Sequence, residues 1–405
     1  MQLKQIHICF LVLILSSTFA AAQNNQTRSE IVLLTTETKI DAGNTIFLKF
    51  STYETIKPLL YCSNSYGSTL VSPKYENKTL EYKIPINISN KTGTVYWKLL
   101  HDNSSLNGKF IIKPKQEVAT METYIGPPSI EAGGTDYTML VVIPTDSLDN
   151  PLAEKTLVTA KYQFLASEKS EDIFVKNLIS YKNIYSQKES GRMLVSSESL
   201  KTNSKEFSIT VFPAIPINFK VSASRPHDYG DGNQITTFLT SVIKDKQDNI
   251  VSDGTYVTFY ITNEKGNILK TSGSTINGVA TSKMIHPDYN ARWRIKAYID
   301  GMAESDTISL EYKQVVEDFD VEFSKNNRGI TVGPIQSFMK QMIPDGLKVM
   351  LLVYKNNTLI GSVKKTSFEG LVYFNLKPDI YINDDYTIAI KTAGIEKKFK
   401  SKKLW

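Results

Sequence analysis

Between residues 231 and 311, apolar and polar residues alternate with a period of two in three separate runs: 238–243 (FLTSVI), 256–261 (YVTFYI) and 293–298 (WRIKAY). That period places every second side chain on the same side of an extended chain, so each run reads as a strand with one buried face. Turn-forming clusters separate the runs: Lys246-Gln247-Asp248-Asn249, Asn263-Glu264-Lys265-Gly266, Ser272-Gly273-Ser274 and the pair Asn277-Gly278. No helical period lies between them. Short strands at near-regular spacing predict an antiparallel β-sandwich, a fold whose interior consumes the informative side chains and says little about what its surface touches.

The same stretch carries a D-x-x-x-N frame from Asp245 to Asn249, then Asp253-Gly254-Thr255 with Val257 and Phe259. Thr275-x-Asn277-Gly278-x-Ala280 and Ile295-x-Ala297 follow. Together these residues resemble a bacterial Ig-like domain of the invasin/intimin type, over about a fifth of the chain. The matching positions are turns and core strands, so the resemblance speaks to fold more than to activity. It implies a rigid spacer or adhesive module on the outside of a bacterial cell.

Residues 1–22 read as a targeting segment: Lys4 at the start, an apolar core at 8–15, polar Ser16 and Ser17, then Ala20-Ala21-Ala22 before Gln23. The apolar core is too short to span a bilayer, and the competing reading is a buried first strand. Removal of the segment would leave about 380 residues, enough for three or four domains. It would lower the formal charge from +6 to +5, because Lys4 is its one charged residue. So mild a charge argues against a nucleic-acid partner. Cys9 would leave with the leader and Cys62 would remain alone, precluding an intrachain disulfide. Within its strand-like run LLYCSNSY, Cys62 is expected as a buried, inert thiol. No later apolar run is long enough for a transmembrane helix.

A constant offset reveals repetition. Sliding by 99 residues lays Asp146 on Asp245, Asp149-Asn150 on Asp248-Asn249, and Val158 on Val257. Sliding by 92 lays Asp253-Gly254 on Asp345-Gly346, Val257 on Val349, Gly278 on Gly370, and Ala297 on Ala389. The expected architecture is therefore all-β, four tandem Ig-like β-sandwich domains at about 29–115, 116–215, 216–313 and 314–405. Within the second, residues 167–191 read as a polar excursion, either a helical piece or a protruding loop. Phe212-Pro213-Ala214-Ile215-Pro216 reads as an extended linker fixing the next module's angle. The string Gly370-Leu371-Val372-Tyr373-Phe374-Asn375-Leu376, followed by Asp384-Asp385-Tyr386-Thr387-Ile388, also resembles the macroglobulin-type β-sandwich. The thioester cysteine motif of that family is missing, so only the stacked architecture is implied.

Strings of known catalytic chemistry (G-x-S-x-G, H-E-x-x-H, G-x-x-x-x-G-K-[ST], C-x-x-C) do not occur. No enzymatic activity and no cofactor are expected. Three candidate ligand regions remain. Trp97 in TVYWKLL is either a core plug or, with Tyr61 and Tyr66 near in sequence, a sugar-stacking platform. Asp228, Asp231 and Asn233 could offer oxygens to calcium, although their spacing departs from the twelve-residue calcium loop and an Asx-turn lead-in is the ordinary alternative. Lys397, Lys398 and Lys400 in the last run could meet an acidic polysaccharide, or could simply protect an edge strand. These features predict an exported, non-enzymatic surface spacer, adhesin or envelope assembly subunit of a Gram-negative-type bacterium. Its place would be the periplasm, the outer membrane or the outside, and its partner a protein of the envelope or a cell surface, or a glycan. A carbohydrate-binding or carbohydrate-active accessory protein is the alternative.

Overall fold

The structure is a computed structural model and describes residues 31–53, 55–101 and 106–405. The expected targeting segment lies outside the described residues. Among the described residues, strands account for nearly all regular structure, with one short helix at Ile86–Ser89, so the all-β expectation holds. The chain divides into two units, each taken by itself. One comprises the described residues up to Gly126 with Met139–Asn183 and Leu194–Phe207; the other comprises Pro127–Thr138, Ile184–Met193 and Ser208–Trp405.

In the first unit, two sheets face each other. One has the strand order Val32–Leu33, Phe47–Ser51, Thr79–Lys83, Lys74–Glu76; the other runs Lys39–Asp41, Asn107–Lys113, Gly93–Leu100, Leu59–Asn64, Gly67–Val71. Alternation does what the period demands: Val95, Trp97 and Leu99 turn inward from one strand while Tyr96 and Lys98 turn outward. Phe50 of the first sheet meets Trp97 of the second edge-on, with ring centroids 5.4 Å apart, and also meets Tyr82 at 5.6 Å. The buried Tyr82 hydroxyl donates to the Pro58 carbonyl at 2.7 Å. Trp97 has room because its cross-strand partner is Gly108, where a Cβ would stand 2.5 Å from the indole. Cys62 lies in this core as a free thiol, and burial pushes its pKa up to about 12.

The polar stretch beginning at Ser167 corrects an expectation. It is neither helix nor loose loop. Ser167–Phe174 pairs antiparallel with Leu157–Phe164 along its whole length, and Ser180–Tyr185 forms a further strand. Ser167–Phe174 lies at the edge of its sheet with most side chains in solvent, so no apolar alternation marked it in the sequence. Polar cross-strand pairs hold it instead, Thr159 with Asp172 at 2.9 Å and Tyr162 with Glu171 at 2.8 Å, and the Lys182–Glu171 ion pair links it to a strand of another sheet.

In the second unit one core gathers Phe238, Phe259, Ile261, Trp293, Ile295 and Tyr312. Another gathers Ile330, Val332, Val349, Leu351, Val353, Phe374, Ile388 and Ile390. Ser272-Gly273-Ser274, expected as a turn, is instead internal to the strand Ile268–Ile276. That strand pairs with Tyr256–Asn263 as far as Ser274 and with Val279–Ile285 at Thr275 and Ile276, crossing from one partner to the other within a single eight-stranded sheet. Gly273 is needed at the crossing, since a Cβ there would lie 2.1 Å from the Thr281 carbonyl oxygen.

Candidate functional site

The repeated D-x-x-x-N frame folds into the same object twice. Asp146 donates its backbone N–H to the Asn150 carbonyl, Asp149 donates to the Asp146 carbonyl, and Asp149 sits at φ 60°. One repeat later Asp245, Asn249 and Asp248 make the same two bonds, with Asp248 at φ 70°. Aspartate suits that position because its short polar side chain tolerates the left-handed region. In the first turn the Asp146 carboxylate accepts the N–H groups of Leu148 and Asn150 on Oδ1 and that of Lys115 on Oδ2, each at 2.9 Å. In the second, Asp245 accepts Gln247 and Asn249 on Oδ1 at 2.8 and 2.9 Å, and Ala214 on Oδ2 at 2.9 Å. Lys115 and Ala214 are themselves 99 residues apart.

Each buried asparagine, held by its aspartate, reaches back to earlier chain. Asn150 Nδ2 donates to the Asn90 carbonyl at 2.8 Å while its Oδ1 accepts Thr92 N–H at 3.1 Å. Asn249 Nδ2 donates to the Lys188 carbonyl at 2.8 Å while its Oδ1 accepts Ser190 N–H at 2.8 Å. Burial alone would raise both carboxyls; the N–H groups and the asparagine amides outweigh it and hold Asp146 and Asp245 below the usual carboxylate value. All four side chains thus tie their turn to an earlier segment of the chain.

The same turn occurs a third time with different residues. Ser337 N–H donates to the Gln341 carbonyl, Lys340 to the Ser337 carbonyl, and Lys340 lies at φ 60°. Gln341 is exposed, and this turn attaches through Phe338 instead, whose N–H donates to the Val315 carbonyl at 2.9 Å and whose ring lies 5.1 Å from Tyr229.

Tyr229 belongs to the segment weighed for calcium. Asp228 turns to Arg225 at 2.7 Å, and Asp231 Oδ1 caps the N–H groups of Asn233 and Gln234 at 3.1 and 3.0 Å. The Asx-turn alternative is what the geometry contains, with Asp228 paired to Arg225 and Asp231 capping the turn. Asp231 instead faces two histidines, His227 Nε2 at 3.5 Å and His286 Nδ1 at 3.7 Å. His286 is buried, donates from Nδ1 to the Tyr229 carbonyl at 2.9 Å, and leaves Nε2 without a partner among the described residues. Burial first, opposed by Tyr229 and Asp231, lowers its pKa. Among the described residues no group of three or more histidine, cysteine or acidic side chains could hold a metal ion. No helix among them is long and apolar enough to cross a membrane, a statement that does not bear on β-barrels.

The other candidates separate as well. Trp97 is 5% exposed and offers no platform; Tyr61 and Tyr96 occupy the opposite, outer face of its sheet. The sugar-stacking alternative at Trp97 is overturned, because strand alternation sends it inward. Lys397, Lys398 and Lys400 lie on Ile395–Lys403, an edge strand. Lys397 is half-buried, bonded to Asp318 at 2.6 Å and over the Phe319 ring, whereas Lys398 and Lys400 are exposed, with Lys398 3.2 Å from Glu396. The three do not form one patch. The sequence drew attention away from a set of tyrosines and cations on the sheet containing Tyr256–Asn263, because no motif joins residues from four strands.

No family model matches the chain, and no curated protein matches it. Solved structures similar to it include FdeC, an Escherichia coli adhesin, at 13% identity over 70% of this chain and 96% of that one, with a TM-score of 0.49. Invasin, a bacterial integrin-binding protein, is similar at 11% identity over 92% of this chain and 79% of that one, TM-score 0.48. The D1–D4 ectodomain fragment of ICAM-5 is similar at 10% identity over 92% and 98%, TM-score 0.37. These likenesses assign no family to the chain.

Proposed function

We propose that this chain is an exported, non-enzymatic array of β-sandwich modules, at about 29–115, 116–215, 216–313 and 314–405, serving as an adhesin-type or spacer element at a bacterial surface or envelope. The observation that supports it best is the repeated Asp–Asn junction. A chain that must present one module at a set orientation to the next needs its linkers fixed, and we read the two buried Asp–Asn pairs, which make the same bonds 99 residues apart, in that role. Periplasmic, outer-membrane-associated and extracellular placements in a Gram-negative-type bacterium all suit it, with a protein of the envelope or of another cell's surface as partner. Fractionation of cells combined with protease shaving of intact cells tests the reading. Recovery of processed protein from envelope or medium supports it; unprocessed protein confined to the cytosol overturns it.

A further inference from the structure

The outer face of the sheet built on Tyr256–Asn263 carries side chains in register. Along Ala291–Ile299 the outward residues are Arg292, Arg294, Lys296 and Tyr298. Opposite them on Tyr256–Asn263 stand Thr262 across from Arg294, Tyr260 across from Lys296, and Thr258 across from Tyr298. Ile268 and Lys270 continue the first two rows on the next strand. A groove of about 490 Å³ runs between Tyr260, Thr262, Ile268, Arg294, Lys296, Tyr298 and Thr307, with Lys296 Nζ 5.3 Å from the Tyr298 ring centroid, within the usual size of small-ligand sites.

Charge on this face is only partly cancelled. Arg292 pairs with Glu311, and Lys296 with Glu304 at 2.8 Å. Arg294 is exposed and, among the described residues, has no carboxylate partner; Lys270 is exposed and lies over the Tyr260 ring at 5.8 Å. Tyr260 and Tyr298 meet edge-on at 5.7 Å, so the pair presents ring surface as well as hydroxyls.

We propose that this face binds an acidic, carboxylate-bearing saccharide, with a sugar ring against Tyr260 and Tyr298 and its carboxylate on Arg294. The planar guanidinium offers paired donors that match a carboxylate. The aromatic rings suit the apolar face of a pyranose, and Thr262 and Thr307 offer hydroxyls to its own. A protein partner would call for an apolar anchor at the centre, and Ile268 is the groove's single aliphatic residue. The inference rests on the surface-display reading for its setting, yet the two fail separately: fractionation tests display, and binding by purified protein tests the groove.

Affinity electrophoresis of the full secreted chain through gels containing polygalacturonate, with neutral dextran as comparison, is the test. Wild-type protein is expected to be retarded by polygalacturonate and not by dextran. Arg294→Gln, whose exposed position leaves thermal unfolding unchanged, weakens the retardation about tenfold or more. The double variant Lys398→Gln/Lys400→Gln, away from the groove, retains it. Equal retardation of Arg294→Gln and wild type, or equal loss in the Lys398/Lys400 variant, which would signal attraction by net charge alone, overturns the proposal. So does binding to an envelope protein that Arg294→Gln abolishes while polygalacturonate leaves the wild type unretarded.

Discussion

Asn150 and Asn249, 99 residues apart, each donate a side-chain N–H 2.8 Å to a backbone carbonyl of the preceding stretch of chain, Asn90 and Lys188 respectively. Each is buried, and each is steered by an aspartate four residues earlier. Replacing either asparagine by alanine leaves a carbonyl and an N–H of the preceding stretch unpaired. We expect Asn150→Ala and Asn249→Ala each to cost about 2–4 kcal/mol in urea unfolding. Faster amide exchange at Thr92 or Ser190 should accompany the loss; a cost below about 0.5 kcal/mol would show the junction pairs to be incidental.

The third turn gives the contrast. Gln341 occupies the asparagine position but is exposed, so Gln341→Ala should change stability by no more than about 0.5 kcal/mol. Phe338→Ala, which removes the ring against Tyr229, should cost about 1–2 kcal/mol. Equal effects of the two substitutions would contradict the distinction between them.

Two pH windows should separate in unfolding measurements. Neutral His286 is favoured in the folded protein, so the unfolded chain binds the extra proton. The stability is complete above pH 6.5, the ordinary histidine value, and falls as pH drops toward the lower folded value. His286→Asn should flatten urea midpoints between pH 7.5 and 5. The Asp146 and Asp245 contribution is present above about pH 3.8, their ordinary value, and is lost below it as they protonate. Asp245→Asn should therefore reduce the acid-limb slope while leaving the histidine window in place.

Trp97→Ala should cost about 3–5 kcal/mol, since it empties the space between Phe50 and Gly108. Tyr61→Ala and Tyr96→Ala, on the outer face of the same sheet, should cost much less. Thermal unfolding of the three variants decides between a core and a surface role.

The Cys62 thiol, buried and with its pKa pushed up to about 12, should resist maleimide labelling at pH 7.5 in folded protein and react at once in urea. Rapid labelling without denaturant would place it at the surface.

Much of this protein was legible in its sequence because strand alternation and turn chemistry are local. The period of two in residues 256–261 and 293–298 appears as inward Val257, Phe259, Trp293 and Ile295. The offset of 99 picked out Asp146 and Asn150 before their bonds could be seen. Where a strand is polar on both faces, as at Ser167–Phe174, or changes its pairing partner midway, as at Gly273, no local period exists to read. Only the tertiary structure decided which side of a strand faces solvent, and so that Trp97 is a core plug and Tyr61 is not. It also decided that Asn150 and Asn249 are buried against earlier chain while Gln341 is exposed, and that Tyr260, Arg294, Lys270 and Thr307 share one face. Those outcomes depend on hydrogen bonds and packing between segments far apart in the chain, which pairing register sets and residue order alone does not.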